Sequence, residues 1–196
     1  MLDSFNRNIN YLRISVTDRC NLRCNYCMPP EGVELIHHKD ILSFEEISEI
    51  VSYCAGLGVN KVRITGGEPL VRRGIVDLVK MLSLIKGIDD LSMTTNGALL
   101  DQFAAPLAAA GLKRVNISLD TLNPGNYRQI TGVGDIRNVL AGIDAAVDAG
   151  LTPIKINCVI KSSRDEPDAK EVEAYCKEKG FQVRFIKEMN LKNGIF

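Results

Sequence analysis

The sequence lacks an excess of charge of either sign. Its 24 lysine and arginine residues balance 24 aspartate and glutamate residues, for a formal net charge of +0. A basic field is what draws a protein to nucleic acids or to anionic membrane surfaces. We therefore expect neither a nucleic-acid partner nor a membrane partner.

Long apolar runs are also missing. No run approaches the roughly 18 residues that a membrane-spanning helix needs. The first residues, Met1-Leu2-Asp3-Ser4-Phe5-Asn6-Arg7-Asn8, are polar and lack the apolar centre of a secretion signal. The six cysteines are then expected in a reducing compartment, as free thiols instead of disulfides. The sequence predicts a cytoplasmic protein.

Histidine is scarce, with only two residues, His37 and His38. A structural zinc site would need a fourth cysteine or histidine beside Cys20, Cys24 and Cys27, commonly from a second pair. The two histidines begin ten residues after Cys27 and have no partner pair, which argues against zinc and favours a solvated loop. A thioredoxin-like redox pair would leave Cys20 without a role.

What the sequence does contain is a compact cysteine triad, Cys20-Asn21-Leu22-Arg23-Cys24-Asn25-Tyr26-Cys27. Cysteine is the usual ligand of iron–sulfur clusters, and each loop thiolate can bind one iron of a cubane. Three ligands on a four-iron cube leave one iron open to a cofactor or substrate. The spacing therefore predicts a reactive iron–sulfur site held by Cys20, Cys24 and Cys27.

Strand and helix patterns alternate along the chain. At 196 residues, the length suits one domain, 1–196, with a sizeable core. The alternation predicts a parallel α/β fold with outer helices. Strands are predicted at 12–17, 62–65, 91–95, 115–119, 154–160 and 183–189, and helices at 44–57, 75–85, 100–110, 136–149 and 167–179.

Five of the six strands have one polar face and one apolar face, while the sixth mixes both. In a parallel sheet the apolar face must meet the helices, so the polar face is expected to line an open, wet interior. The apolar set is Leu12, Ile14, Val16, Val62, Ile64, Val115, Ile117, Leu119, Ile154, Ile156 and Cys158. The polar set is Arg13, Ser15, Thr17, Lys61, Arg63, Thr65, Ser92, Thr94, Asn96, Asn116, Ser118, Asp120, Lys155 and Asn157.

Chemistry in such folds gathers at the carboxyl ends of the strands. The cysteine triad follows the first strand, and Gly66-Gly67-Glu68-Pro69 follows the second. The glycines leave backbone groups exposed, and Glu68 lies where a ligand ammonium could bind. Taken alone, the same four residues could equally form a tight turn.

These motifs together resemble the radical S-adenosylmethionine (SAM) superfamily. The resemblance rests on the cysteine spacing with Tyr26 before the last cysteine, on Gly66-Gly67-Glu68-Pro69, and on Thr94-Thr95-Asn96-Gly97 and Ser118-Leu119-Asp120. It implies a partial (β/α)6 TIM-type barrel. It also implies one [4Fe-4S] cluster on the three cysteines, with SAM on the fourth iron and its amino group at the glycine-rich motif.

Longer runs resemble one family, the GTP 3′,8-cyclases of molybdenum cofactor biosynthesis. They are Tyr11 to Asn21, Pro30 to Leu35, Arg63 to Leu70, and Ile130-Thr131-Gly132. The resemblance implies reductive SAM cleavage to a 5′-deoxyadenosyl radical that acts on GTP, with an electron donor such as flavodoxin or ferredoxin. The implied cofactor contacts are Tyr26, Gly66, Gly67, Glu68, Pro69, Ser118, Met189 and, on the polar face, Asn157; the implied substrate contacts are Arg13, Arg63, Thr94, Lys155 and Arg184.

The sequence departs from that family in one respect. Members continue into a C-terminal region with a second cysteine triad, which has no counterpart here, and Cys54, Cys158 and Cys176 are expected to be packed thiols. Three alternatives stay open. The chain could be a radical SAM enzyme with another small-molecule substrate, one half of a split enzyme that needs a partner chain, or a non-catalytic iron–sulfur module for electron transfer or regulation.

Overall fold

The computed structural model describes residues 2, 4–28, 32 and 34–188. Six parallel strands form one sheet in sequential order, and within the described residues the two edge strands do not pair with each other. The sheet is therefore an open, partial barrel, as predicted. Its strands are β1 (Tyr11–Ser15), β2 (Lys61–Thr65), β3 (Asp90–Thr95), β4 (Arg114–Ser118), β5 (Lys155–Ile160) and β6 (Gln182–Lys187).

Six α-helices connect or follow the strands, and two short 3₁₀ turns lie at His38–Asp40 and Pro69–Val71. No helix in the described part of the chain combines the length and apolarity that a bilayer crossing requires. The helices are α1 (Phe44–Gly56), α2 (Ile75–Ser83), α3 (Leu100–Ala109), α4 (Pro124–Thr131), α5 (Ile136–Asp148) and α6 (Pro167–Lys179).

The hydrophobic core lies between the apolar face of the sheet and the helices. Val62, Ile64 and Ile117 are completely buried and belong to one cluster with helix residues such as Leu78 and Ile143. Burial of each such side chain contributes about 1.5–3 kcal/mol. The predicted apolar face is therefore confirmed, and Cys158 and Cys176 are buried in the same core, as expected.

Local signals explain where most helices begin. Ser43 accepts a hydrogen bond from the Glu46 amide, and the Glu46 carboxylate accepts one from the Ser43 amide, which is the capping box that starts α1. Helix α6 begins with Pro167. Proline has no backbone N–H, and this costs nothing in the first turn, where N–H groups have no partner within the helix.

Helix α4 corrects the sequence prediction, which placed no helix between the fourth strand and residue 136. It spans only eight residues and buries only Tyr127 and Thr131, so it has no apolar stripe to detect. The signal was in its ends. The Asn123 side chain caps the Asn126 amide, Pro124 follows, and Gly132 ends the helix with a positive φ of 77°.

Candidate functional site

The cysteine triad lies on the loop after β1, at the carboxyl edge of the sheet. Cys20 and Cys24 are partly buried and Cys27 is exposed. The amides of Arg23 and Asn25, on either side of Cys24, donate to the carbonyls of Thr131 and Ile130, both at 2.9 Å. The end of α4 therefore fixes the backbone around Cys24.

The glycine-rich turn after β2 holds the start of the same loop. The Gly67 amide donates to the Thr17 carbonyl at 2.7 Å, and the Glu68 amide donates to the Arg19 carbonyl at 2.8 Å. A Cβ atom on Gly66 would lie 2.6 Å from the Thr17 oxygen, and one on Gly67 would overlap the Arg19 backbone. The two glycines are thus required by the packing of one loop against the other, a role that the sequence alone did not separate from ligand binding.

A Gly67→Ala substitution is expected to destabilise the protein by about 1–3 kcal/mol, because backbone atoms cannot give way as a flexible side chain can. Gly56→Ala is the matched control, since a Cβ there meets nothing within 4 Å and Gly56 ends helix α1. The control should stabilise the protein by about 0.4–1 kcal/mol. Urea unfolding of both variants measures the difference, and equal midpoints would refute this account of the turn.

The three thiols form one electrostatic group. Burial raises the pKa of Cys20 and Cys27. Burial, together with the charges of Cys27, Asp120 and Cys20, raises the pKa of Cys24 to about 12. A negative charge on one thiolate therefore makes ionisation of a neighbouring thiol less favourable. In the absence of a metal, all three groups are held as neutral thiols at neutral pH.

The donor set and its spacing fit a cubane. Among the described residues, no three side chains of the types Cys, His, Asp or Glu converge closely enough to share one metal ion. A cubane does not need such convergence, because each thiolate bonds a different iron. Three coupled thiols on one loop can therefore hold a four-iron cluster that leaves one corner open.

The pKa shifts predict slow alkylation of Cys20, Cys24 and Cys27 in cluster-free protein at pH 7. Only the thiolate reacts, and its fraction should keep rising above pH 9, the usual thiol pKa, most of all for Cys24. Iodoacetamide labelling from pH 7 to 11, followed by peptide mass spectrometry, gives each rate. Labelling of Cys24 that reaches a plateau below pH 9 would show that its pKa is not raised.

Tyr26, which precedes Cys27, joins the loop to the far side of the sheet. Its hydroxyl donates to Asp120 Oδ2 at 2.7 Å, and Asp120 Oδ1 accepts from the Val159 amide at 2.8 Å. Burial raises the pKa of Asp120, while these two hydrogen bonds favour its charged form. The loop is thereby attached to the ends of β4 and β5.

The Glu68 carboxylate is hydrogen-bonded to other groups of the protein. The residue is 1% exposed, and its carboxylate accepts hydrogen bonds from the Leu70 amide, the Thr95 hydroxyl at 2.7 Å and the Asn96 amide at 2.6 Å. Asn96 in turn donates to Asn21 Oδ1 at 2.8 Å and lies 3.8 Å from Cys20 Sγ. Glu68 therefore orders the loops around the first cysteine through Asn96, whose contact with the loop is not evident from the sequence.

The polar face of the sheet carries the remaining predicted site residues in three levels, set by strand register. Nearest the cysteine loop, Ser118 pairs with Asn157, which pairs with Arg184. Two residues further in, or about 7 Å, Asn116 lies between Thr94 and Lys155. Two residues further again, Arg13 pairs with Arg63. The register thus places Arg184, a predicted substrate residue, on the same level as the predicted cofactor residues Ser118 and Asn157. The other predicted substrate residues lie on the two levels beneath.

The deepest level is a row of cations. The Arg63 guanidinium donates to the Ser92 hydroxyl at 3.4 Å and lies 5.3 Å from the Tyr11 ring centre. Burial lowers the pKa of Arg63, and the charges of Arg114 and Arg13 lower it further. No ion pair forms at Arg13, Arg63, Lys155 or Arg184 among the described residues. The acid whose charge acts on Arg63 is Asp90, and Asp90 is paired with Arg114.

Two further groups on this face were not among the predicted cofactor or substrate contacts, although Asn116 was predicted to lie on the polar face. Arg114 extends the cationic row through Ser92 and forms an ion pair with Asp90 at 2.6 Å; it lies one residue before the strand that was predicted. The Asn116 side-chain oxygen is buried without a hydrogen-bond partner, between Thr94 and Lys155. Buried polar atoms of this kind are usually satisfied by a ligand or water.

Other predicted positions lie outside this arrangement. Met189, and Pro30, Glu31 and Val33 of the family-like run, fall outside the described residues. His37 and His38 are exposed, and His38 lies 3.4 Å from the Arg19 guanidinium. Cys54 is partly buried in α1, away from the cysteine loop in sequence and on the helical side of the sheet.

Sequence comparison identifies close relatives. The chain is 52% identical over 189 residues to the GTP 3′,8-cyclase of Alkaliphilus oremlandii and 53% identical over 190 residues to that of Thermodesulfovibrio yellowstonii. Each match covers 96% of this chain but 59% of the relative. The chain therefore spans a little over half the length of these relatives.

Solved structures with low sequence identity share the fold. Streptococcus suis SuiB bound to S-adenosylmethionine superposes with a TM-score of 0.75 at 20% identity, over 94% of this chain and 42% of SuiB. The anSMEcpe structure with bound AdoMet superposes with a TM-score of 0.71 at 21% identity, over 95% of this chain and 54% of that one.

The family profile of the radical SAM superfamily matches residues 14–180. The chain therefore belongs to the radical SAM superfamily.

Proposed function

We propose that Cys20, Cys24 and Cys27 hold one [4Fe-4S] cluster whose open iron binds SAM. The observation that carries this proposal is the cysteine loop itself, three coupled thiols fixed at the carboxyl edge of an open sheet. Membership in the superfamily implies both the cluster and SAM. The proposed SAM contacts are Tyr26, Gly66, Gly67, Glu68, Pro69, Ser118, Asn157 and Met189.

The cluster and SAM, when bound and supplied with an electron, provide reductive cleavage of SAM to methionine and a 5′-deoxyadenosyl radical. The protein's own contribution is orientation and shielding. Ser118 and Asn157 lie side by side on the first level of the polar face, where they can hydrogen-bond a cofactor attached to the loop above. Glu68 and Asn96 hold Cys20 and Asn21 in place.

We propose GTP as the substrate and its 3′,8-cyclisation as the reaction, the first step of molybdenum cofactor biosynthesis. Support comes from the names of the relatives and from the unpaired cations of the inner face. Guanidinium groups bind phosphate oxygens in paired hydrogen bonds, so Arg13 and Arg63 suit a triphosphate. Thr94, Lys155 and the unsatisfied Asn116 oxygen can then meet the nucleoside, with Arg184 at the outer level.

The chain spans 59% of the length of these relatives, so the proposal must also say what this part can do by itself. We propose that 1–196 is one radical SAM domain that receives electrons from a flavodoxin- or ferredoxin-type donor. We expect slow or absent cyclisation by the isolated chain unless a partner chain supplies the region that the relatives have beyond it. A cytoplasmic location stays a prediction, made from the polar first residues and the reducing compartment that they imply for the cysteines.

The test is anaerobic incubation of the reconstituted chain with SAM, dithionite and a panel of nucleotides, followed by mass spectrometry. Formation of 5′-deoxyadenosine is expected with SAM alone at a low rate. Stimulation by GTP, and not by ATP or CTP, would support the substrate. No 5′-deoxyadenosine under any condition would overturn the enzymatic proposal in favour of a non-catalytic iron–sulfur module.

A further inference from the structure

One buried polar group near the cysteine loop has no partner. Tyr127 in α4 is 3% exposed, and within the described residues its hydroxyl is buried without a hydrogen bond. An unsatisfied buried hydroxyl costs about 1–3 kcal/mol. Such groups usually have a partner, so a ligand, an ion or a water is expected at this hydroxyl.

The ring of Tyr127 lies beside the cysteine loop. Tyr127 shares one face of α4 with Ile130 and Thr131, three and four residues on, whose carbonyls accept the amides on either side of Cys24. A Cβ on Gly134 would lie 2.6 Å from the Tyr127 ring and 3.2 Å from the Leu22 side chain. The ring edge therefore lies next to the loop, with only a glycine between it and Leu22.

The charges around the hydroxyl come from the loop and its surroundings. Burial raises the pKa of Tyr127, and the thiolate forms of Cys24 and Cys20 and the carboxylates of Asp120 and Asp135 raise it further. The hydroxyl therefore stays protonated at every physiological pH and can act as a donor. Among these charges the Cys24 thiolate has the largest effect, and Cys24 is the thiol that α4 already holds in place.

We propose that Tyr127 is a positioning residue for the iron–sulfur cluster, and that its hydroxyl donates a hydrogen bond to sulfur on the Cys24 side of the assembled cluster. The inference rests on the proposed cluster and goes beyond it. A donor at cluster sulfur stabilises the reduced form, which carries one more negative charge, so it raises the reduction potential. The residue would thus ease the first electron transfer.

The experiment compares Tyr127→Phe with the parent chain by EPR-monitored redox titration after anaerobic reconstitution. The substitution removes one oxygen and keeps the buried ring. We expect unchanged iron content and a roughly tenfold smaller equilibrium constant for reduction, which is about 59 mV for one electron. Tyr53→Phe is the matched control, because Tyr53 is 72% exposed on α1, and it should leave the potential unchanged.

A second readout separates a direct hydrogen bond from packing. Pulsed ENDOR of the reduced cluster, before and after exchange into deuterated buffer, should detect an exchangeable proton that Tyr127→Phe lacks. An unchanged potential, or a lower iron content with an unchanged potential, would overturn the proposal. Failure of the cluster assignment itself would appear in the parent chain, which would then take up no cubane, and would overturn both.

Discussion

Cys24→Ala is expected to lower the iron content of reconstituted protein from about four per chain to a small fraction of that and to abolish formation of 5′-deoxyadenosine. Cys24 is the central thiol of the triad, and hydrogen bonds from both neighbouring residues to α4 fix it. A cubane on two thiolates would expose two irons, and no other cysteine of the described chain lies on the loop. Iron and sulfide assays together with the SAM cleavage assay measure the effect.

Cys54→Ala is the control for this experiment, because Cys54 lies in α1 and is neither on the loop nor in the buried core. It should keep about four iron per chain and full SAM cleavage. Two observations would contradict the assignment. One is a Cys24→Ala variant with its iron content intact. The other is a parent chain that holds two cubanes. A second cubane is not expected, because Cys158 and Cys176 are buried and their pKa values are raised to about 12 and about 11.

The alternation of residues along the strands was enough to predict most of the fold. The alternation of strands with helices predicts the parallel sheet. The period of two within each strand predicts the apolar face and the shared polar face of Arg13, Arg63 and Lys155, and register then aligns them. Helix α4 was invisible to the same argument, because eight residues with two buried side chains carry no periodic stripe. Only the residues at its ends, Asn123-Pro124 and Gly132, could have revealed it.

The cysteines could be assigned from spacing, whereas the groups that support them could not. Asn96 donates a hydrogen bond to Asn21, 75 positions earlier in the chain, and the Tyr127 ring lies across Gly134 from Leu22. The motif predicts a ligand contact for Glu68, and its hydrogen bonds to Thr95 and Asn96 are a second role that the motif did not reveal. Burial and hydrogen-bond partners decide such roles, and neither can be read from one sequence.

The second large effect is expected at Arg63. Arg63→Ala should weaken GTP binding to the SAM-loaded chain by roughly ten- to a hundred-fold, since hydrogen bonds between charged groups contribute about 1.5–3 kcal/mol. Arg63 has no ion pair within the described residues, and Arg13 and Arg114 lower its pKa, so an incoming anion relieves repulsion that already exists. Calorimetry at low and moderate salt measures the affinity, which should fall with salt in the parent chain.

Guanosine and a distant arginine together show whether the contact is with phosphate. Arg63→Ala should leave guanosine binding unchanged, because guanosine has no phosphate for the guanidinium to hold. Arg137→Ala is the matched control: its side chain is 86% exposed and paired with Asp135 at the start of α5, and GTP affinity should not change. If Arg63→Ala weakened the binding of GTP and of guanosine equally, Arg63 would contact the nucleoside instead of the phosphates. An absence of GTP binding to the SAM-loaded parent chain would remove the nucleotide from the proposal while leaving the cysteine site intact.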